Sequence, residues 1–230
     1  MPRVFVIIPA FDEEQSIGKV IQDIPKEIVA EIVVTDNNSK DNTQKVAKQA
    51  GATVLSEPQQ GYGYACLKAI EYLKQKYEAQ PSDIIVFLDG DYSDYPAQIT
   101  EVIQPIVENN YDMVIGSRAL GRKEGGSMTP QQIFGNWLAT RLLKLLYKVE
   151  FTDLGPFRAI KFEQLLALDM QDNTYGWTVE MQVKAAKVKL TSCEVPVDYK
   201  VRIGVSKVSG TLKGTIMAGY KILWTIFKYL

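Results

Sequence analysis

At 230 residues the chain is long enough to bury a sizeable core within one large domain. A formal net charge of -1, with no basic run interleaved with aromatics, excludes a nucleic-acid partner recognised through positive charge. Two cysteines without metal spacing read as free thiols of a reducing cytoplasm, and the absence of histidine excludes a Ser-His-Asp triad, a histidine-ligated zinc and a histidine base. Proton transfer and cation binding therefore fall mainly to carboxylates.

The apolar run Val4 to Ile8 reads as a buried strand, too short behind Arg3 for a signal peptide. Ile17, Val20, Ile21 and Ile24 then recur at helical spacing, with Asp12 and Gln15 placed for a capping box. A strand at Glu31 to Thr35, a helix around Thr43 to Ala50 and a strand at Thr53 to Ser56 follow. The face Cys66, Ile70, Leu73, Tyr77 predicts another helix. Ile84 to Leu88 predicts a fully buried strand, and Ala97 to Glu108 a helix that Pro105 should bend or shorten. With a strand at Met113 to Ile115, these β-α units imply an α/β fold with a mostly parallel sheet and helices on both faces.

The second half changes character. Leu120 to Pro130 is a polar, glycine-rich loop, followed by helices from Gln131 to Lys148 and Trp177 to Lys187 and a strand at Glu194 to Tyr199. In the tail, Leu212 to Leu230, the residues Ile216, Tyr220, Leu223, Phe227 and Leu230 line one face, and Lys213, Lys221 and Lys228 make it a poor membrane span. Such a helix docks on its own domain, packs in a homo-oligomer, or lies in a membrane interface.

Four polar clusters fall at predicted strand ends on one side of the sheet: Pro9 to Glu14, Asp36 to Ser39, Asp89 to Asp91 and Gly116 to Arg118. In open α/β sheets ligands bind there. Asp89-Gly90-Asp91, after a wholly apolar strand, suits a hard cation such as Mg²⁺ or Mn²⁺, although Asp and Gly also make ordinary turns. Gly61-Tyr62-Gly63 precedes a helix and fits either a phosphate approach or a flexible turn, and it lacks the preceding strand of a dinucleotide fingerprint. Arg202 to Lys207 groups glycine, a hydroxyl and cations that can wrap an anion. Tyr175, Trp177 and Tyr199 read as core, with sugar stacking as the alternative.

Together these segments resemble glycosyltransferase family 2, in particular its dolichyl-phosphate mannose synthase-like branch with the Rossmann-like GT-A fold. Pro9-Ala10-Phe11-Asp12-Glu13 stands for Pro-x-Tyr-Asn-Glu, Asp36-Asn37-Asn38-Ser39 for Asp-Asp-Gly-Ser, Asp89-Gly90-Asp91 for Asp-x-Asp and Gly116-Ser117-Arg118 for Gly-Ser/Thr-Arg. Farther on, Thr152-Asp153 through Phe157-Arg158, Val179-Glu180-Met181 and Gly204-Val205-Ser206-Lys207 resemble later family motifs. The resemblance implies a single GT-A domain over 1–211, divided into a nucleotide-sugar-binding half (1–118) and an acceptor-side half (119–211), ahead of an amphipathic helix at 212–230.

It also implies an inverting transferase that uses a UDP-sugar or GDP-mannose. Pro9, Ala10, Glu13, Asp36, Gly61, Asp89, Gly90 and Asp91 would hold the donor, with Mg²⁺ or Mn²⁺ on Asp89 and Asp91. Arg118, Arg158, Arg202, Ser206 and Lys207 would meet the diphosphate or the acceptor. The acceptor is a polyprenyl phosphate at the inner membrane face, needing cations, or a hydroxyl, needing Glu180 or Asp153 as base. Asn37 and Asn38 depart from the family pattern, Ser93 stands where some synthases have an amide ligand, and the arginine that lipid-phosphate users carry near Phe134 is absent, as is their multi-span anchor. A sugar-nucleotidyltransferase would show a Gly-rich, basic loop after the first strand, which Pro9 to Glu14 lacks; a non-catalytic nucleotide-sugar-binding subunit would bind the donor without turning it over.

Overall fold

The computed structural model describes residues 2–206 and 212–230, and of residues 212 and 213 the backbone only. The first half builds β1 (Val4–Ala10), β2 (Glu31–Asp36), β3 (Thr53–Ser56), β4 (Ile84–Phe87) and β5 (Met113–Ser117). Between them run α1 (Ile17–Asp23), α2 (Thr43–Gln49), α3 (Tyr62–Lys76) and α4 (Ile99–Asn109). The second half adds α5 (Pro130–Tyr147), β6 (Arg158–Lys161), α6 (Phe162–Leu168), α7 (Trp177–Lys187), β7 (Ser192–Pro196) and α8 (Leu212–Lys228).

Among the described residues the strands form one seven-stranded sheet in the order β3-β2-β1-β4-β6-β5-β7. β6 runs antiparallel to β4 and β5, and the other pairings are parallel. Side chains alternate across each strand, so Phe5 and Ile7 face α3, α5, α6 and α7, whereas Val4, Val6 and Ile8 face α1, α2 and α4. Every residue of β4 is buried, as expected for a strand covered on both faces. α8 packs on α5 and α7.

Several local expectations change. α1 starts after a turn at Glu13–Ser16 with no side-chain cap, and Asp12, left-handed at φ 52°, instead accepts from the Lys40 amide at 2.7 Å, so the expected capping box is not formed. α4 continues through Pro105 after a 3₁₀ turn at Pro96–Gln98. The strand expected at Glu194 to Tyr199 is β7, which ends at Pro196. The capping box sits on α5, where the Thr129 hydroxyl accepts from the Gln132 amide and the Gln132 carboxamide accepts from the Thr129 amide, with Pro130 in the first turn.

Candidate active site

The register that sets Ile7 beside Phe87 carries Pro9 and Ala10 alongside Asp89 and Gly90 at the carboxyl edge of the sheet. There a cavity of about 460 Å³ opens, lined by Pro9, Ala10, Glu13, Asn37, Gly61, Tyr62, Asp89, Gly90, Asp91, Tyr175, Arg202 and Ser206 among others. The clusters after β1, β2 and β4 therefore converge. Asp91 is aimed by its own turn, since its Oδ1 accepts from the Ser93 amide at 2.9 Å and the Ser93 hydroxyl at 2.5 Å. Its Oδ2 meets Arg202 Nη1 at 3.0 Å, and Arg202 Nη2 reaches Glu13 Oε1 at 2.8 Å. The Tyr62 hydroxyl donates to Asp89 Oδ1 at 3.1 Å.

Burial and the neighbouring Asp91 charge push the Asp89 carboxyl up to about 7. A third carboxylate stands close by. Asp94 is 1% exposed, neither of its oxygens has a hydrogen-bond partner, and burial followed by the Asp89 and Asp91 charges holds it well above the ordinary range. This excess of negative charge suits a divalent cation. Among the described residues no group of three or more carboxylates or thiols converges on one metal position, so Asp89 and Asp91 would supply the protein ligands, with water and phosphate oxygens completing the shell.

The cluster after β5 turns elsewhere. Arg118 forms a bidentate pair with Asp153, Nε to Oδ2 at 2.8 Å and Nη2 to Oδ1 at 2.7 Å, and its guanidinium lies 5.0 Å from the Tyr199 ring centroid. Burial alone would raise the Asp153 pKa, but Arg118 outweighs it and holds the carboxyl below its ordinary value. Asp153 lines a second cavity of about 600 Å³ beneath α5, together with Lys123, Met128, Ile133, Trp137 and Arg141.

Four expected site residues line neither cavity, Arg118 on its partner Asp153 being one of them. Glu180 is fully buried and accepts from the Gln171 and Asp172 amides and the Tyr229 hydroxyl, so a base role for it is withdrawn. Arg158 is equally buried, spends its guanidinium on the carbonyls of Leu154, Gly155 and Thr178, and is lowered by burial to about 10, so it is a structural cation rather than a ligand contact. Asp36 accepts from the Ser39 amide and the Gln44 carboxamide; the neighbouring Asn37 takes its place on the cavity wall, accepting from the Gly61 amide at 2.7 Å. Lys207 lies outside the described residues. Trp177 is core, packed edge-on against Phe87, whereas Tyr175 reaches the cavity. Asp94 and the Thr174 wall were not singled out by sequence reasoning, and a third Asp two residues beyond Asp91-Tyr92 is the signal that could have found the first.

The family model for glycosyl transferase family 2 matches residues 5–167. The chain belongs to glycosyltransferase family 2. Over 201 residues the glycosyltransferase is 30% identical to the glycosyltransferase AglJ of Haloferax volcanii, covering 86% of this chain and 63% of that protein. Over 244 residues it is 29% identical to a UDP-N-acetylglucosamine–dolichyl-phosphate N-acetylglucosaminyltransferase of Methanococcus voltae, covering 97% and 94% of the two chains. In structure it superposes on Mycobacterium tuberculosis glucosyl-3-phosphoglycerate synthase, solved with Mn²⁺, UDP and phosphoglyceric acid, with a TM-score of 0.77, 20% identity and coverage of 99% of this chain and 78% of that one. The fold is thereby the GT-A fold expected from the sequence.

The raised Asp89 pKa fixes a pH dependence for this glycosyltransferase. Between the ordinary value of 3.8 and about 7 the folded protein keeps a proton that the unfolded chain has lost, so this group lowers stability as pH rises through that window. Asp89→Asn is therefore expected to raise Tm by at least about 2 °C at pH 8 and to change it little at pH 4. A Mn²⁺ ion held by Asp89 would have to displace the same proton, so its Kd in the wild type is expected to rise about tenfold per unit below pH 7. Calorimetry at the two pH values and Mn²⁺ titrations from pH 5.5 to 8 check both; a pH-independent Kd would contradict the assignment.

Proposed function

We propose that this glycosyltransferase moves a hexosyl group from a nucleoside-diphosphate sugar to the phosphate of a polyprenyl phosphate, inverting the anomeric centre. The carboxylate pair at the foot of the 460 Å³ cavity carries the reading. Pro9, Ala10 and Gly61 border the space for the nucleoside, with Glu13 beside it and Asp36 supporting the wall through Ser39 and Gln44. Mg²⁺ or Mn²⁺ on Asp89 and Asp91 would supply Lewis-acid stabilisation of the charge that builds on the departing nucleoside diphosphate. Arg202, now shared between Asp91 and Glu13, is the side chain placed to transfer its donors to that diphosphate, with Ser206 on the same cavity wall and Lys207 next to it in sequence.

The acceptor assignment rests on what the carboxylates are doing. Glu180 is enclosed by donors and Asp153 is spent on Arg118, so neither is free to take a proton from a hydroxyl. A phosphate acceptor has no proton to lose at neutral pH and requires cations instead. The second cavity offers Lys123 and Arg141 beside Met128, Ile133 and Trp137, a combination suited to a phosphate on an apolar chain. Phe134 and Trp137 of α5 and Tyr220, Trp224 and Phe227 of α8 are exposed, which supports seating at a membrane surface. No helix among the described residues is long and apolar enough to cross a membrane. The dolichyl phosphate in the name of the Methanococcus voltae relative points the same way.

Incubation with Mn²⁺, a panel of UDP- and GDP-sugars and a short-chain polyprenyl phosphate is expected to yield a polyprenyl-phosphoryl hexose whose NMR spectrum shows the anomeric configuration opposite to the donor's. Retention of configuration would remove the direct-attack mechanism. Transfer to hydroxyl acceptors alone would remove the phosphate acceptor.

A further inference from the structure

The C-terminal helix reaches the donor cavity through a buried polar hub that the transfer chemistry leaves unused. Glu180, in the first turn of α7, has no exposed surface. Its Oε2 accepts from the Asp172 amide at 2.7 Å, and both oxygens accept from the Gln171 amide at 3.1 Å. Asp172 in turn accepts on Oδ1 from the amides of Thr174 at 2.8 Å and Gly176 at 3.1 Å. Two carboxylates thus hold the backbone of residues 171–176. Each is held from α8 or the residue after it: the Tyr229 hydroxyl donates to Glu180 Oε1 at 2.6 Å, and Lys221 Nζ lies 3.0 Å from Asp172 Oδ2.

The far side of the 171–176 segment is the donor cavity. The Asn173 carbonyl accepts from the Tyr64 amide at 3.1 Å, and a Cβ on Gly61 or Gly63 would collide with the carbonyl oxygens of Asn173 or Asp172. Backbone therefore lies directly on backbone. Thr174 and Tyr175, carried by this segment, line the cavity opposite Pro9 and Asp89. Loosening the segment moves that wall, because the close approach leaves no side chain to absorb a shift.

We propose that α8 is a positioning element of the donor site, in which Tyr229 and Lys221, acting through Glu180 and Asp172, press the Asn173–Tyr175 wall onto the Gly61–Tyr64 turn. The assignment rests on the reading of this cavity as the nucleotide site. None of the four side chains touches substrate. Their effect falls on how tightly the nucleotide is held rather than on the rate once it is bound.

Tyr229→Phe keeps the ring and removes the donor, and Lys221→Met keeps the stem and removes the cation. Each is expected to raise the Kd for UDP or GDP with Mn²⁺ about three- to tenfold, less than the full worth of a hydrogen bond to a charged group because the loss reaches the nucleotide only through the wall, with kcat at saturating donor within about twofold. In the double variant the amides of 171–176 should exchange with solvent at least about tenfold faster, while those of α1 and α2 stay unchanged. Ile103→Val, in the core on the opposite face of the sheet, serves as the control for general loss of stability and should shift neither reading. Nucleotide binding and wall exchange in the double variant equal to those of Ile103→Val would overturn the coupling alone. A wild-type chain that bound neither UDP nor GDP would overturn the donor-site reading and this assignment with it.

Discussion

Asp91→Asn is expected to lower cation-dependent transfer by about 10²–10³-fold, the usual consequence of deleting one group that stabilises transition-state charge. The fold should survive, because the substitution preserves volume and the amide oxygen still accepts from the Ser93 amide and hydroxyl. Two secondary effects follow from the same geometry. Arg202 loses its partner at 3.0 Å and keeps Glu13 at 2.8 Å, and Asp89 loses the charge that, after burial, contributes most to its raised pKa. The Mn²⁺ dependence of donor turnover, measured beside a thermal melt, checks the prediction. Turnover near wild type with an unchanged Mn²⁺ profile would mean that the cation sits elsewhere.

Asp153→Asn should be the most destabilising conservative change in the second half. Arg118 keeps a 12% exposed side chain beside a carboxylate that is 1% exposed, and removing one member of such a pair strands the other. The cost is about 3–5 kcal/mol, or about 6–20 °C in Tm for a chain of this size. Replacing both partners with apolar residues, Arg118→Met with Asp153→Leu, should recover most of that loss, because neither charge is then left buried. Thermal melts of the single and double variants test this. The double variant also isolates the chemistry: a stable protein that binds donor but no longer transfers would give Arg118 a direct part in the reaction, and full activity would limit it to structure.

The sheet's first half was legible because its central strands are runs of apolar residues long enough to stand out from the helices, as Val4 to Ile8 and Ile84 to Leu88 do. β6 was not. Arg158-Ala159-Ile160-Lys161 is four residues with a charge at each end, and its burial depends on β4 and β5, more than 40 residues upstream. The same distance hides the hub, since nothing near Glu180 in sequence announces that Tyr229 will donate to it. Glu13, Asp89 and Asp91, expected at the donor, and Arg202 and Ser206, expected at the diphosphate or the acceptor, all line one cavity, because strand ends and their loops follow from the β-α pattern. Motif resemblance misjudged Arg158 and Glu180 because a charged residue within a motif can serve backbone carbonyls and amides as readily as a ligand.

The reversed strand also sets a schedule for synthesis. β4 is complete at Phe87, but the strand that pairs with it on the side away from β1 does not begin until Arg158. At about 5–20 residues per second, the intervening stretch takes about 4–14 s to leave the ribosome. During that time a wholly apolar strand presents an open edge to any other nascent chain. The central ladder closes only when Arg158 has been drawn into the middle of the sheet, so the strand that leads into Asp89 and Asp91 keeps an unpaired edge until β6 has been made.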